Sequence, residues 1–76
     1  FMLTFNLISC VDGFYHYEIY PEGKEENKGW VIFNPETWEV KEKVNPKSSF
    51  ECIGHFLQGV TDENGNYKES GMVAWC

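Results

Sequence analysis

Cys52 and His55 lie three residues apart, within Ser48-Ser49-Phe50-Glu51-Cys52-Ile53-Gly54-His55-Phe56-Leu57-Gln58-Gly59-Val60. On a helix that spacing brings two side chains within reach of each other. A thiolate beside an imidazole is the beginning of a nucleophilic site. The sequence offers no third residue to orient the imidazole and no oxyanion donor. A free cysteine is also commonly just a small buried apolar residue, so chance adjacency is the plainer reading. Zinc has candidate ligands in Cys10, Cys52, Cys76, His16 and His55, but structural zinc sites bring their ligands in closely spaced pairs. Only Cys52/His55 approaches that pattern.

Asp62-Glu63-Asn64-Gly65-Asn66 has the composition of a calcium loop without its spacing. Counted from Asp62, the glycine falls too early and Val73 stands where the closing Glu is needed. Glu22, Glu25 and Glu26, separated by Gly and Lys, read as a solvated cluster. Phosphate-binding glycine loops, Ser/His/Asp orders and H-E-x-x-H are absent from the sequence. No metal or cofactor is expected, and the chain reads as non-catalytic.

Composition narrows the partners. The formal net charge is -6, from 12 acidic residues against 6 basic ones, all of the latter lysine. Arginine is the usual bidentate reader of phosphate and guanine, and an acidic surface repels nucleic acid and anionic lipid at long range. Binding to nucleic acid or to a membrane is therefore not expected. Three cysteines without close pairing do not form a disulfide framework. With no stretch resembling a signal peptide or membrane span, a reducing, cytoplasmic setting is the expectation. Phe1 before Met2 reads as an addition ahead of the natural start, with a fragment of a longer chain as the alternative.

The elements that must hold these residues follow from periodicity. In the 48–60 stretch, apolar residues at 50, 53, 56, 57 and 60 make one helical stripe, with Glu51, His55 and Gln58 away from it. Ser48 with Glu51 three places on fits a capping box. Met2 to Ser9 alternates, with Leu3, Phe5 and Leu7 on one face. Asp12-Gly13 supplies a turn. Phe14 to Tyr20 returns with Tyr15, Tyr17 and Ile19 on one face and His16 and Glu18 on the other. Pro21 to Gly29 is a charged loop, and Trp30 to Phe33 is a strand apolar on both faces. After a turn at Asn34-Pro35-Glu36-Thr37, Trp38 to Val44 is an edge strand with Trp38, Val40 and Val44 inward and a lysine row outward. Asn64-Gly65 marks a tight turn. Gly71 to Cys76 reads as a strand buried on both faces.

The expected fold is a single α+β domain, 1–76. It is a mostly antiparallel sheet of four to five strands in the order β-β-β-β-α-β, with one helix on a face. Aromatic residues make up 17% of the chain, and each can bury roughly 150–250 Å², so even a small domain has a dense core. One helix covers one sheet face only. Either Trp30 and Ile32 or Val31 and Phe33 must then lie away from it. An apolar uncovered face marks a binding surface. The expectation is a protein–protein interaction module, homodimeric through Trp30, Ile32, Met72 and Ala74. The alternatives are an acidic inhibitor or nucleic-acid mimic docking on a basic partner, and a thiol enzyme using Cys52 and His55.

Overall fold

A computed structural model describes residues 1–48 and 50–76, leaving out Ser49 of the predicted helix. Strand β1 (Met2–Val11) turns at Asp12-Gly13 into β2 (Phe14–Pro21). Both turn residues have positive φ, 52° and 82°, the geometry whose twist matches that of the flanking strands. A 3₁₀ turn, Glu25–Asn27, precedes β3 (Gly29–Phe33), which is followed by β4 (Val40–Val44). Helix α1 (Cys52–Gly59) and then β5 (Ser70–Ala74) complete the order. The five strands form one sheet, β4-β3-β2-β1-β5, antiparallel at every pairing. The fold is the expected α+β architecture.

Strand alternation sends Leu3, Phe5, Tyr17, Ile19, Val31 and Phe33 to the helix side, where all are buried. There Phe56 of α1 meets Phe5 edge-on at 5.3 Å and Tyr17 at 5.0 Å. The Tyr17 hydroxyl donates to the Lys68 carbonyl at 2.7 Å, so its polar end is satisfied inside the core. Burial pushes its pKa well above the ordinary value, leaving a neutral donor at any working pH.

Four expectations need correction. The helix starts at Cys52, not at Ser48, because Glu51 itself is the N-cap and accepts from the Gly54 N–H at 2.6 Å. Ser48 instead accepts from the Phe50 N–H at 3.1 Å, and Phe50 packs on Phe1, ring centroids 3.9 Å apart. His55 does not face solvent. It is half-buried, with its ring stacked on Trp75 at 4.0 Å and 7°.

In β4 the expected inward row does not exist. A register shift opposite Ile32/Phe33 puts Val40 beside Phe33 on the helix side and Val44 beside Trp30 on the other, since one extra residue reverses every later side chain. Trp38 precedes the strand in a left-handed conformation, φ 62°, which costs a bulky residue about 1–2 kcal/mol. Finally, β5 is an edge strand rather than a strand buried on both faces, and Met72 is 58% exposed.

The 61–70 loop closes as the Asn64-Gly65 pattern predicts, with Asp62 as its organiser. The Asp62 carboxylate accepts from the N–H groups of Asn64 and Asn66, each at 2.9 Å. These bonds, the Asn66 backbone first, hold its pKa below the usual carboxylate range. A carboxyl depressed by folding adds stability above its unfolded pKa, about 3.9, and loses it as pH falls through the lower folded value. The Asn66 amide resonance is therefore expected to titrate with a midpoint below that of an unstructured Asp. A midpoint at or above it would remove the role assigned to these two bonds.

Candidate functional site

Helix α1 packs over β1, β2 and β5, and its backbone makes no close approach to β3 or β4. Two surfaces follow from that lateral position. One is the sheet face opposite the helix, on which, among the described residues, no α-helix or further strand packs, although Lys28 after the 3₁₀ turn reaches Glu18 there. The other is a cleft on the helix side, between α1 and the β3–β4 ribbon.

The uncovered face carries all four residues expected at an interface. Trp30 and Ile32 are half-buried on β3, and Met72 and Ala74 are exposed on β5. They do not form one patch. The register places Glu18 and Asn6, on β2 and β1, between Trp30 and the Ser70–Met72 end of β5. At about 4.8 Å per strand, the two apolar groups stand about 14 Å apart. The polar band between them is internally satisfied. The Tyr20 hydroxyl donates to Glu18 at 2.7 Å and Lys28 pairs with the same carboxylate at 3.3 Å. The tyrosine hydrogen bond, then the lysine, hold the Glu18 pKa below the usual range.

Val44 extends the Trp30 side of this face, and Met2 lies opposite Ala74 on the other. Phe14 and Val11 share the face at the hairpin end, where Lys41 stands over the Phe14 ring at 5.1 Å. Sequence reasoning passed over Phe14, although strict alternation along β2 puts it on the His16/Glu18 side. At that end a shallow groove of about 440 Å³ is bounded by Ser9, His16, Ile32 and Glu42. Ser9 and His16 are cross-strand partners, but Ile32 separates His16 from Glu42. The backbones of His16 and Glu42 are two strands, about 10 Å, apart. A nucleophile, base and orienting acid need hydrogen-bond contact in sequence, and this row does not provide it.

The cleft has a different character. Val31 and Phe33 form its floor, Ile53 and Leu57 one wall, and Trp38 and Val40 the other, for a volume of about 150 Å³. Trp38 stacks on Phe33 at 5.9 Å and 11° while remaining 59% exposed. Among the described residues, Lys43 is the only charged one lining it. Lys43 lies on the helix side of the ribbon because it pairs with Val31, and it presents its aliphatic stem to this almost wholly apolar lining.

The thiol chemistry finds little support in the geometry. Cys52 is buried, and burial first, with the nearby Glu51 charge, pushes its pKa up despite a hydrogen bond with Ser48. A nucleophile requires the thiolate, which this environment disfavours. The His55 ring is occupied by Trp75. Cys10 and Cys76 are exposed and unpaired. Among the described residues no three of His, Cys, Asp and Glu group as metal ligands, and no helix is long and apolar enough to cross a membrane. Comparison with known protein families, characterised proteins and solved structures finds no match to this chain.

Proposed function

We propose that this chain is a non-catalytic protein–protein interaction module that self-associates through the sheet face opposite its helix. The observation that carries the reading is that face itself. It is an unlayered sheet surface bearing Trp30, Ile32, Val44, Met2 and Met72, where antiparallel sheets with one wet side normally present polar residues. The molecule measures 31 × 26 × 17 Å. Its broad side thus offers on the order of 600–800 Å², close to what each partner buries in a stable complex. Two such sheets pack face to face about 10 Å apart with their inner side chains interdigitated. The Glu18–Lys28–Tyr20 network enters that layer already paired, which lowers the cost of covering it.

Sedimentation equilibrium at low and high salt tests this. Apolar self-association persists in high salt, and Trp30→Ala, which removes a half-buried aromatic anchor, weakens it at least 30-fold while the far-ultraviolet spectrum stays unchanged. A monomer at all concentrations would end the reading. Assembly that dissolves steeply with salt would point instead to charge-driven contacts, as for an acidic inhibitor on a basic partner. Loss of the fold in Trp30→Ala would assign that residue to the core.

A further inference from the structure

We propose that Asn64-Gly65 is a site of spontaneous modification, where Asn64 loses its side-chain amide to give aspartate and isoaspartate, and that Asp62 sets the rate. The reaction needs an asparagine followed by a main-chain nitrogen that can reach its side chain. Glycine hinders that approach least, having no side chain of its own. Of the asparagines in the chain only Asn64 precedes a glycine. Asn34 and Asn45 precede prolines, whose nitrogen carries no hydrogen to give up. After Asn6, Asn27 and Asn66 come Leu7, Lys28 and Tyr67, whose side chains crowd the attacking nitrogen. Asn64 and Gly65 are both exposed, and a side chain placed on Gly65 would meet open space. Solvent therefore reaches both reacting groups.

Water is the only co-reactant. Hydroxide takes the proton of the Gly65 N–H, and the nitrogen attacks Cγ of Asn64. As that bond forms, the bond from Cγ to the side-chain nitrogen breaks, and ammonia leaves with a proton from water, which restores the hydroxide. The cyclic imide then adds one water. Opening at Cγ leaves aspartate, whereas opening at the main-chain carbonyl leaves isoaspartate, with one extra atom in the backbone. The folded turn opposes the first step, because the Gly65 N–H donates to the Asp62 carbonyl at 3.0 Å. The Asp62 carboxylate holds the N–H groups of Asn64 and Asn66 on either side, each at 2.9 Å. For the nitrogen to swing from Asp62 to the Asn64 side chain, this turn must open, and each bond that closes it lowers the open population. The site involves the 61–70 loop alone, so it and the self-association proposed above stand or fall separately.

The test is incubation of the full chain in mildly alkaline buffer at physiological temperature, followed by peptide mapping in a mass spectrometer and enzymatic methyl labelling of isoaspartate. The mass gain of an amide becoming a carboxyl is expected at Asn64 ahead of every other asparagine, with isoaspartate among the products as the mark of the imide. Asp62→Ala, compared where its far-ultraviolet spectrum matches the parent's, is expected to convert about 5–30-fold faster, the factor for losing one or two hydrogen bonds. Asp62→Asn, which keeps an acceptor in place, should fall between the two. The parent in denaturant should convert at least as fast as Asp62→Ala, and Asn64→Gln, whose longer side chain disfavours the ring, should stay unmodified. Conversion first at another asparagine, or aspartate without isoaspartate, would overturn the site. A native parent that converts as fast as the denatured chain, or an Asp62→Ala rate equal to the parent's, would overturn the part given to Asp62.

Discussion

Phe56→Ala is expected to leave the chain largely unfolded near physiological temperature. Phe56 is fully buried, and its ring is the central contact of the helix with the sheet, against Phe5 and Tyr17. Truncating such a side chain costs about 3–5 kcal/mol, because the lost transfer energy and the cavity add. A domain of 76 residues holds roughly 4–11 kcal/mol in total, so the loss is a large share of the whole. At about 4–8 °C per kcal/mol for so small a domain, a fall in Tm of at least 12 °C should appear in thermal denaturation. Leu57→Ala, one residue along the same helix but 37% exposed, is expected to cost less than about 1 kcal/mol. A parent-like melt for Phe56→Ala would mean that α1 does not rest on this core.

Gly29→Ala carries the second large effect, through backbone crowding. A methyl group at position 29 would collide with the Val44 carbonyl oxygen and the Pro46 nitrogen. Both are main-chain atoms, and neither can turn aside as a flexible side-chain tip would. Pro46 is buried, and the Lys47 N–H donates to the Asn27 carbonyl at 2.9 Å, so the crossing is anchored on both sides. Over-packing of this kind costs about 1–3 kcal/mol and sometimes more. The expected result is a drop in stability near the top of that range, with hydrogen exchange accelerated most in β4. Gly23→Ala is the comparison, since that position has a positive φ of 72° and open space around it. It should cost only about 1 kcal/mol, from conformation alone. Equal losses from the two would refute the close approach at Gly29.

Much of this architecture was readable from spacing. The alternation of Leu3, Phe5, Tyr17 and Ile19 with polar neighbours defined the first hairpin, and the two positive-φ residues at Asp12-Gly13 closed it. The same rule put Trp30 and Ile32 on one face together, although it could not choose between that face and the one bearing Val31 and Phe33. What escaped depended on single residues overriding a pattern. Ser48 and Glu51 satisfy the capping-box spacing, yet a Glu side chain can itself cap, and here it does so three residues later than Ser48 suggests. One extra residue in β4 undid the expected row of Val40 and Val44. The cleft was out of reach because it arises from the lateral position of α1, which no local spacing encodes, and from a tryptophan in a conformation usually left to glycine.

The strand order also governs how the molecule assembles. β1 finds β2 through a two-residue turn, but its other neighbour, β5, lies far along the chain, beyond the whole β3–β4–α1 segment. The pairing runs on to Phe1 and Trp75, which exchange hydrogen bonds of 2.8 and 2.9 Å. During synthesis the first strand therefore waits with one flank bare until the β3–β4–α1 segment and β5 have been made. Closing so long a loop carries an entropic cost that the short hairpins escape. The meander from β1 to β4 can form early, and arrival of β5 is the step that seals it, covering an edge that would otherwise recruit strands from other nascent chains.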